Sequence, residues 1–267
     1  MDLASGLQPK EPPAYAMPNE PQGDPRPIPR WKLAFQQTPT HELGERDWDE
    51  LLPFFRATYE IEMKGLKASV LNRTHILRVR ERASGRLVGT TGFGVTPVTL
   101  PTGASARVFY GGDVLLLPNL RGSGLVQEMA ARVVLAELLR HPFTTHFGFG
   151  VALTHYMYLG VVRSFADAWP RSDRKTPPEI RSVMEIVGRM AYPQTWRSAD
   201  EPVEVGRRGR GRDLVISETM MRASDVRFFV EKNPGYSRGT ALPFLVKIDA
   251  KNLAALGVRS LRKLLRK

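Results

Sequence analysis

The sequence predicts an α/β domain of the α+β kind, with a mixed and mostly antiparallel central sheet flanked by helices. The first observation is that residues 75–117 show the composition and spacing of three strands, separated by turns at Ala83-Ser84-Gly85-Arg86 and Pro101-Thr102-Gly103. The second is that a helix, a strand and a further helix follow over residues 126–168, where apolar residues recur in steps of three and four in the helical parts. Hairpins followed by such alternation imply a mixed sheet with helices on both faces.

Composition narrows the classes of protein that this chain of 267 residues can belong to. It contains no cysteine, which excludes disulfides, thiolate metal sites and a cysteine nucleophile. Its five histidines lack metal-binding spacing, so no metal cofactor is expected. No apolar run approaches the roughly 18 to 20 residues that span a bilayer, and the start lacks the features of a secretory signal. We therefore expect a cytoplasmic protein.

The net charge of +12 is concentrated in two segments. One is the glycine- and arginine-rich stretch from Gly206 to Arg212, and the other is the run from Lys251 to Lys267, which contains no acidic residue. Basicity confined to short segments indicates surface features and not a domain that wraps nucleic acid. No nucleic-acid partner is expected.

The predicted elements divide the chain into three parts. Residues 1–30 are rich in proline and poor in large apolar residues, which predicts a disordered arm. Residues 31–249 form the predicted domain, with an insertion at about 170–222 that includes a helix from Pro177-Pro178 to about Met190 and a mobile loop at Gly206–Arg212. Residues 250–267 form a predicted basic amphipathic helix, with leucines on one face and basic residues on the other.

Within the domain, the first predicted strand covers Trp31 to Gln37. Helices are predicted from Trp48 and over 61–71, with Pro53 tolerated only in a first turn. The three strands of residues 75–117 follow, then the helix from Val126, a strand over 144–152 and a helix over 156–168. Two further strands are predicted at 225–232 and 241–249.

The sharpest local signal is the stretch from Leu115 to Val126, where an apolar strand runs into a glycine-bearing turn that opens a helix. Gly122 and Gly124 allow the backbone to approach a ligand closely, and the helix start offers unpaired N–H groups and the positive end of its dipole. Together with Arg121, these amides could hold a pyrophosphate. The alternative is that Gly122 and Gly124 have a structural role only and form a tight connection between strand and helix.

The same stretch resembles motif A of the GCN5-related N-acetyltransferases. Leu116-x-Pro118 and Arg121-x-x-Gly124 match that motif, whereas Val126 stands where the family prefers glycine or alanine. The resemblance, which extends to the order of elements over about residues 31–168, implies an acyl-CoA N-acyltransferase fold with acetyl-CoA or a longer acyl-CoA as co-substrate. It also implies that the Leu116 N–H stabilises the thioester oxyanion. The residues that would bind the co-substrate are Leu116, Leu117, Arg121, Gly122, Ser123, Gly124, Leu125 and Val126.

The sequence indicates the general base and the general acid less clearly than it indicates the residues that bind the co-substrate. Asp113 lies on the motif strand and could accept a proton through water, although Gly111-Gly112-Asp113 is also typical of a β-bulge. The family often places a tyrosine acid on the helix after the next strand, and Tyr158 and Tyr156 fall there, although aromatic residues at helical spacing usually belong to a core. His155 and His146 are further candidates, against the simpler interpretation of structural histidines.

The leading functional prediction is transfer of an acyl group from acyl-CoA to a small-molecule amine or amino acid. A second hypothesis is an enzyme that takes the acyl group from an acyl carrier protein, which the basic tail would bind, and that makes an N-acyl amino acid or a signalling lipid. A third is a noncatalytic module that binds acyl-CoA or an anionic membrane surface through its basic segments.

Overall fold

The computed structural model describes residues 28–120, 123–209, 214–249 and Asn252. The strands are β1 (Leu33–Pro39), β2 (Tyr59–Glu60), β3 (His75–Glu81), β4 (Leu87–Thr99), β5 (Ser105–Leu116), β6 (Thr145–Ala152), β7 (Ala168–Trp169), β8 (Val203–Glu204), β9 (Arg208–Gly209) and β10 (Thr240–Ile248). The helices are α1 (Glu45–Arg56), α2 (Met63–Leu71), α3 (Leu125–Arg140), α4 (His155–Ser164), α5 (Pro178–Ala191), α6 (Glu218–Met221) and α7 (Ser224–Lys232).

The main sheet has the order β1-β3-β4-β5-β6-β10-β7, and β8 pairs with β10 at one end of that strand. Among these described strands, β5 and β6 form the one parallel pair, and every other pairing is antiparallel. Strands β2 and β9 form a separate two-stranded sheet. The predicted fold class, a mixed and mostly antiparallel sheet with helices, is confirmed.

Helices cover both faces of this sheet, as the alternation of side chains along β6 makes clear. Phe147, Phe149 and Val151 point to the face that α1, α2 and α5 cover, and they are buried there. Ala152 points to the other face and packs against α4 and α7. Strand β5 follows the same rule, because Leu115 packs on the side of α1 and α2 while Leu116 packs against α3.

Most elements lie where the sequence predicts them, but several expectations were wrong. The helix predicted over 156–168 ends at Ser164, and Ala168 belongs to β7. Residues 225–232 form helix α7 and not a strand. Val226 and Phe229, three positions apart, lie on one helical face and are buried, and Phe229 packs against α4. Pro53 lies inside α1 and not in its first turn. It is exposed, so the carbonyl that loses its amide partner can face water.

Several predicted segments lie wholly or largely outside the described residues. These include most of the arm at 1–30 and all of the tail at 250–267 except Asn252, so the division into three parts stays a prediction. The Gly206–Arg212 stretch is described as far as Gly209, and there it is not a loop throughout, because Arg208 and Gly209 pair with β2. Within the described residues, no helix combines the length and apolarity that a membrane span needs.

Candidate functional site

The candidate site begins where β5 and β6 part. Their parallel pairing runs from Ala106, opposite Thr145, to Tyr110, opposite Phe149. Beyond that point β5 continues to Leu116 and β6 to Ala152 with no further pairs between them. The two strands therefore leave a gap at their carboxyl ends, which is the edge of an α/β sheet where ligands usually bind.

A β-bulge accompanies this divergence. Thr90 pairs with Leu115 and Gly92 with Gly112, so one residue of β4 lies opposite two residues of β5, Asp113 and Val114. Asp113 has a φ of 57°, in the left-handed region that few non-glycine residues adopt. An extra residue in one strand bends it and increases its twist. The bulge therefore lies at the point where β5 leaves β6.

The amide of Leu116 faces the gap. Leu117 donates its N–H to the carbonyl of Val88 on β4, with an N···O distance of 3.0 Å. Successive amides of a strand point to opposite sides, so the Leu116 N–H points away from β4, toward the side on which β6 has separated. The Leu116 side chain packs with Leu125 and Met129 of α3, which fixes the orientation of this peptide.

The turn after β5 has the features of an anion site in its described part. Gly124 precedes α3 with a φ of 87°, a conformation that glycine adopts without strain. The Leu125 N–H donates to Ser123 Oγ at 3.4 Å, and the first helical bond back to Gly124 comes from Glu128. The amide of Val126 precedes that bond at the positive end of the helix dipole, and the Val126 side chain is exposed. Arg121 and Gly122 lie outside the described residues.

A cation that sequence reasoning missed lies beside this turn. Arg30 donates from Nη2 to the carbonyl of Ser123 at 3.0 Å, and its Nη1 lies 3.3 Å from a carboxylate oxygen of Glu128. The sequence assigned Arg30 to the proline-rich arm, and no local pattern marks it as a neighbour of α3. Arg30 therefore places a guanidinium at the helix start, where it is paired with Glu128.

Asp113 lies in a buried ion pair and not free in the gap. Its Oδ1 accepts hydrogen bonds from Arg207 Nη1 and, at 2.8 Å, from Ser69 Oγ on α2. Burial raises the pKa of this carboxyl, but the charges of Arg207 and Arg73 and the two hydrogen bonds outweigh burial, so the pKa lies below its usual value. A carboxylate with a lowered pKa is a weak base. The predicted catalytic role of Asp113 stays a prediction, and its visible role is to anchor the bulge.

Arg207 and Arg73 are the functional-site residues that sequence reasoning missed. The Arg207 side chain is 9% exposed and also lies over the ring of Tyr59, 5.0 Å from its centroid. Arg73 is buried between the rings of Tyr110 and Tyr192 and donates to the Tyr192 hydroxyl at 3.2 Å. Asp113, Arg73 and Arg207 thus form a buried cluster with one more positive than negative charge.

The two candidate tyrosines lie in different surroundings. Tyr158 is fully buried, and its hydroxyl donates to the carbonyl of Pro170 at 3.1 Å, away from solvent. Burial raises its pKa far above the usual value. Tyr156 is half-exposed in the first turn of α4, the helix that begins just after the carboxyl end of β6. Its ring contacts the ring of His155 in a tilted arrangement, with centroids 3.9 Å apart. Of the two, Tyr156 is the one whose side chain reaches solvent.

The candidate histidines are both buried. His146 lies near the start of β6, opposite Arg107 of β5, which is the end of the strand pair away from the gap. Burial lowers its pKa. His155 lies at the start of α4, under Tyr156. Neither arrangement shows the solvent-accessible imidazole that a general base for a bound amine requires.

Two adjoining cavities open on the face covered by α1 and α2. One, of about 460 Å³, is lined by Arg207 and by charged residues of β2, β8 and β9. The other, of about 750 Å³, lies between the end of α1 and α2. Glu60 and Gly206 line both cavities, so the two share a wall.

Comparison with known proteins gives matches to solved structures only. No family model and no curated protein sequence matches the chain. An acyl-CoA N-acyltransferase from Pseudomonas aeruginosa is 17% identical with a TM-score of 0.35, and the match covers 49% of this chain and 86% of that one. ElaA of Escherichia coli is 14% identical with a TM-score of 0.33, over 52% of this chain and 88% of that one.

A third similar structure contains bound CoA. It is the GNAT family N-acetyltransferase YhbS of Escherichia coli in complex with CoA, 13% identical with a TM-score of 0.35, over 49% of this chain and 66% of that one.

Proposed function

We propose that the protein is an N-acyltransferase that takes an acetyl or longer acyl group from acyl-CoA and transfers it to an amine. The observation that carries the proposal is the gap between β5 and β6, which has the Leu116 N–H on its wall and the start of α3 at its end. A pantetheine arm is extended and narrow, and it ends in a diphosphate. A gap that ends at a helix start matches both features.

In this arrangement the chain supplies binding and polarisation, with no nucleophile of its own. The helix start, with Arg121, holds the diphosphate, and the Leu116 N–H donates to the thioester oxygen as negative charge develops on it. The acceptor nitrogen forms a bond to the acyl carbon, and the bond from that carbon to sulfur breaks. One proton leaves the nitrogen and one reaches the thiolate of CoA, so the products are an amide and free CoA.

Tyr156 is the better placed of the two tyrosines to supply the proton to the thiolate, because it is half-exposed beside the carboxyl end of β6. Tyr158 has its hydroxyl committed to Pro170. A carrier-protein donor, a membrane contact and a cytoplasmic location stay predictions. The first two depend on the basic tail, which lies outside the described residues apart from Asn252.

Isothermal titration calorimetry with acetyl-CoA and octanoyl-CoA tests the proposal. We expect saturable binding that weakens by about tenfold in Arg121→Gln, because a charge-assisted contact to phosphate is lost. Arg140→Gln is the matched control, since it removes the same charge at the far, exposed end of α3. Absence of binding to either acyl-CoA, or an Arg121→Gln variant that binds as well as Arg140→Gln, would contradict the proposal.

A further inference from the structure

We propose that the cavity of about 460 Å³ binds the acceptor, and that this acceptor carries a carboxylate as well as an amine, as a free amino acid does. This inference rests on the proposed acyltransferase function and narrows it, since it names the substrate class for the same site. Three observations support it: the charged side chains that line the cavity, the strand pairings that position them, and the contact of Arg207 with both the cavity and Asp113.

Charges of both signs line this cavity. Glu60 and Glu204 are exposed carboxylates, and Arg208 and Arg238 are exposed guanidinium groups. Over residues 28–120, 123–209 and 214–249, none of these four side chains forms an ion pair with another residue. Opposite charges that face one cavity and stay unpaired can serve a ligand that carries both charges itself.

The backbone under these side chains is fixed. Glu60 on β2 lies opposite Arg208 on β9 in the two-stranded sheet. Glu204 on β8 lies opposite Thr240 on β10, two residues after Arg238. Gly239 between them has a φ of 97°, and a Cβ there would lie 2.8 Å from the carbonyl of Arg207. Two short strand pairings, β2 with β9 and β8 with β10, and one close backbone contact therefore hold the charged residues around the cavity.

Arg207 connects the cavity to the gap. It lines the cavity, and its guanidinium reaches Asp113, three residues before Leu116 on β5. Arg207 and Arg73 together exceed the charge of Asp113 by one, so the buried wall behind the cavity carries excess positive charge. A ligand carboxylate near that wall is stabilised, and low-dielectric surroundings strengthen the effect.

The chemistry of the transfer also uses the carboxylates of the cavity. An amino acid at neutral pH carries an ammonium group, which must lose a proton before its nitrogen can attack the thioester. Glu60 and Glu204 can hold the ammonium group, and either can accept that proton. Arg208 and Arg238 are then left for the carboxylate of the acceptor, by charge-assisted hydrogen bonds. The cavity is within the usual range of about 300 to 1,000 Å³ for small-ligand sites.

The test compares acceptors that differ only in the carboxylate. The full-length chain is supplied with acetyl-CoA or octanoyl-CoA and with either L-phenylalanine or 2-phenylethylamine, and in a second pair with either L-leucine or 3-methylbutylamine. Release of CoA is followed with a thiol reagent, which reads CoA alone because the chain has no cysteine. We expect kcat/KM to be at least about tenfold higher for an amino acid than for its decarboxylated amine, the effect of one charge-assisted contact.

Arg238→Gln tests whether the guanidinium of Arg238 binds the carboxylate of the acceptor. It should raise KM for the amino acid by about tenfold, so that the preference for the amino acid over its decarboxylated amine is lost. Arg82→Gln is the control, because Arg82 is an exposed arginine in the turn after β3, remote from the cavity lining. Saturation-transfer NMR with the same acceptors, without CoA, measures their binding independently of turnover.

The outcomes separate the two proposals. If acyl-CoA binds and amines without a carboxylate serve equally well, or if no amino acid of the panel binds in the NMR experiment, the acceptor inference is overturned and the acyltransferase proposal stands. If calorimetry detects no acyl-CoA binding, the acyltransferase proposal fails and the acceptor role of the cavity fails with it. A carboxylate preference that Arg238→Gln removes and Arg82→Gln retains supports the inference.

Discussion

The two halves of strand β5 are held in different ways. Residues 106–110 pair with β4 on one side and with β6 on the other, so backbone hydrogen bonds fix them from both directions. Residues 111–116 lack a partner on β6, and they pair with β4 except at the bulge of Asp113 and Val114. Side chains from distant parts of the chain hold this half instead. Ser69 comes from α2 and Arg207 from the segment just before β9. The half that borders the gap therefore depends on a buried ion pair where the other half depends on its neighbouring strand.

The most sensitive point of this difference is the carboxylate of Asp113. Asp113→Asn leaves Arg73 and Arg207 buried without an anion, and asparagine accepts the left-handed backbone as readily as aspartate does. We expect a loss of about 3–5 kcal/mol in the free energy of unfolding. Arg207→Met should cost less, because Asp113 then keeps Arg73 as a counter-charge. Urea unfolding of both variants measures which loses more unfolding free energy. A larger loss for Arg207→Met would contradict the argument from the net charge of the buried cluster.

The same pair predicts a pH dependence with a defined sign. The pKa of Asp113 is lowered in the folded protein, so its contribution to stability is present above the usual value of 3.8 and is lost as the pH falls through the folded value. The difference in unfolding free energy between the wild type and Asp113→Asn should therefore be constant near neutral pH and shrink in acid. Unfolding measured from pH 7 to pH 3 tests this, and a difference that grows on acidification is the opposite of the expected result.

A substitution of Gly124 tests the opposite end of the gap, where we propose that backbone N–H groups at the start of α3 bind the ligand. Gly124→Ala places a Cβ at a φ of 87° and should cost about 1–2 kcal/mol, with weaker binding of acetyl-CoA because the helix start shifts. Gly160→Ala is the control: Gly160 lies inside α4 with open space around it, and the change should stabilise by about 0.5–1 kcal/mol. Thermal unfolding and calorimetry report the two effects. Equal acetyl-CoA affinities for the two variants would show that the turn at Gly124 does not contribute to acetyl-CoA binding.

The two tyrosines give the smallest expected effect on stability and the clearest division of roles. Tyr158→Phe removes a buried hydrogen bond to Pro170 and should cost about 1 kcal/mol while leaving the rate of CoA release nearly unchanged. Tyr156→Phe should leave stability unchanged, because the side chain is half-exposed, and should lower kcat if Tyr156 protonates the thiolate as proposed. Reversed results, with kcat lost in Tyr158→Phe alone, would restore Tyr158 as the acid.

Sequence reasoning reached the motif region because its signals are local. The strand, the glycine turn and the helix lie within a dozen consecutive residues, from Leu115 to Val126, and each has its own composition and spacing. The hairpins from β3 to β5 are local in the same sense. Backbone geometry at such points is dictated by neighbours along the chain, so glycine at a positive φ and the apolar period of a helix can be read directly.

The charged half of the site could not be read in this way. Arg207 and Asp113 are 94 residues apart, and Arg207 belongs to a glycine- and arginine-rich stretch whose composition predicted a mobile loop. Helix α7 was missed for a related reason: phenylalanine and valine favour strands locally, whereas packing of Phe229 against Tyr158 decides for the helix. Pairings set by tertiary contact leave little trace in composition.

The most direct test of the central claim follows individual amides in a protein labelled with ¹⁵N. A non-hydrolysable thioether analogue of acetyl-CoA is titrated while amide chemical shifts are recorded. Binding in the gap predicts the largest changes at Leu116, Gly124 and Val126, with small changes at Val108, where β5 is paired on both sides. Saturable binding that leaves Leu116 and Val126 unmoved and perturbs other regions would contradict the account.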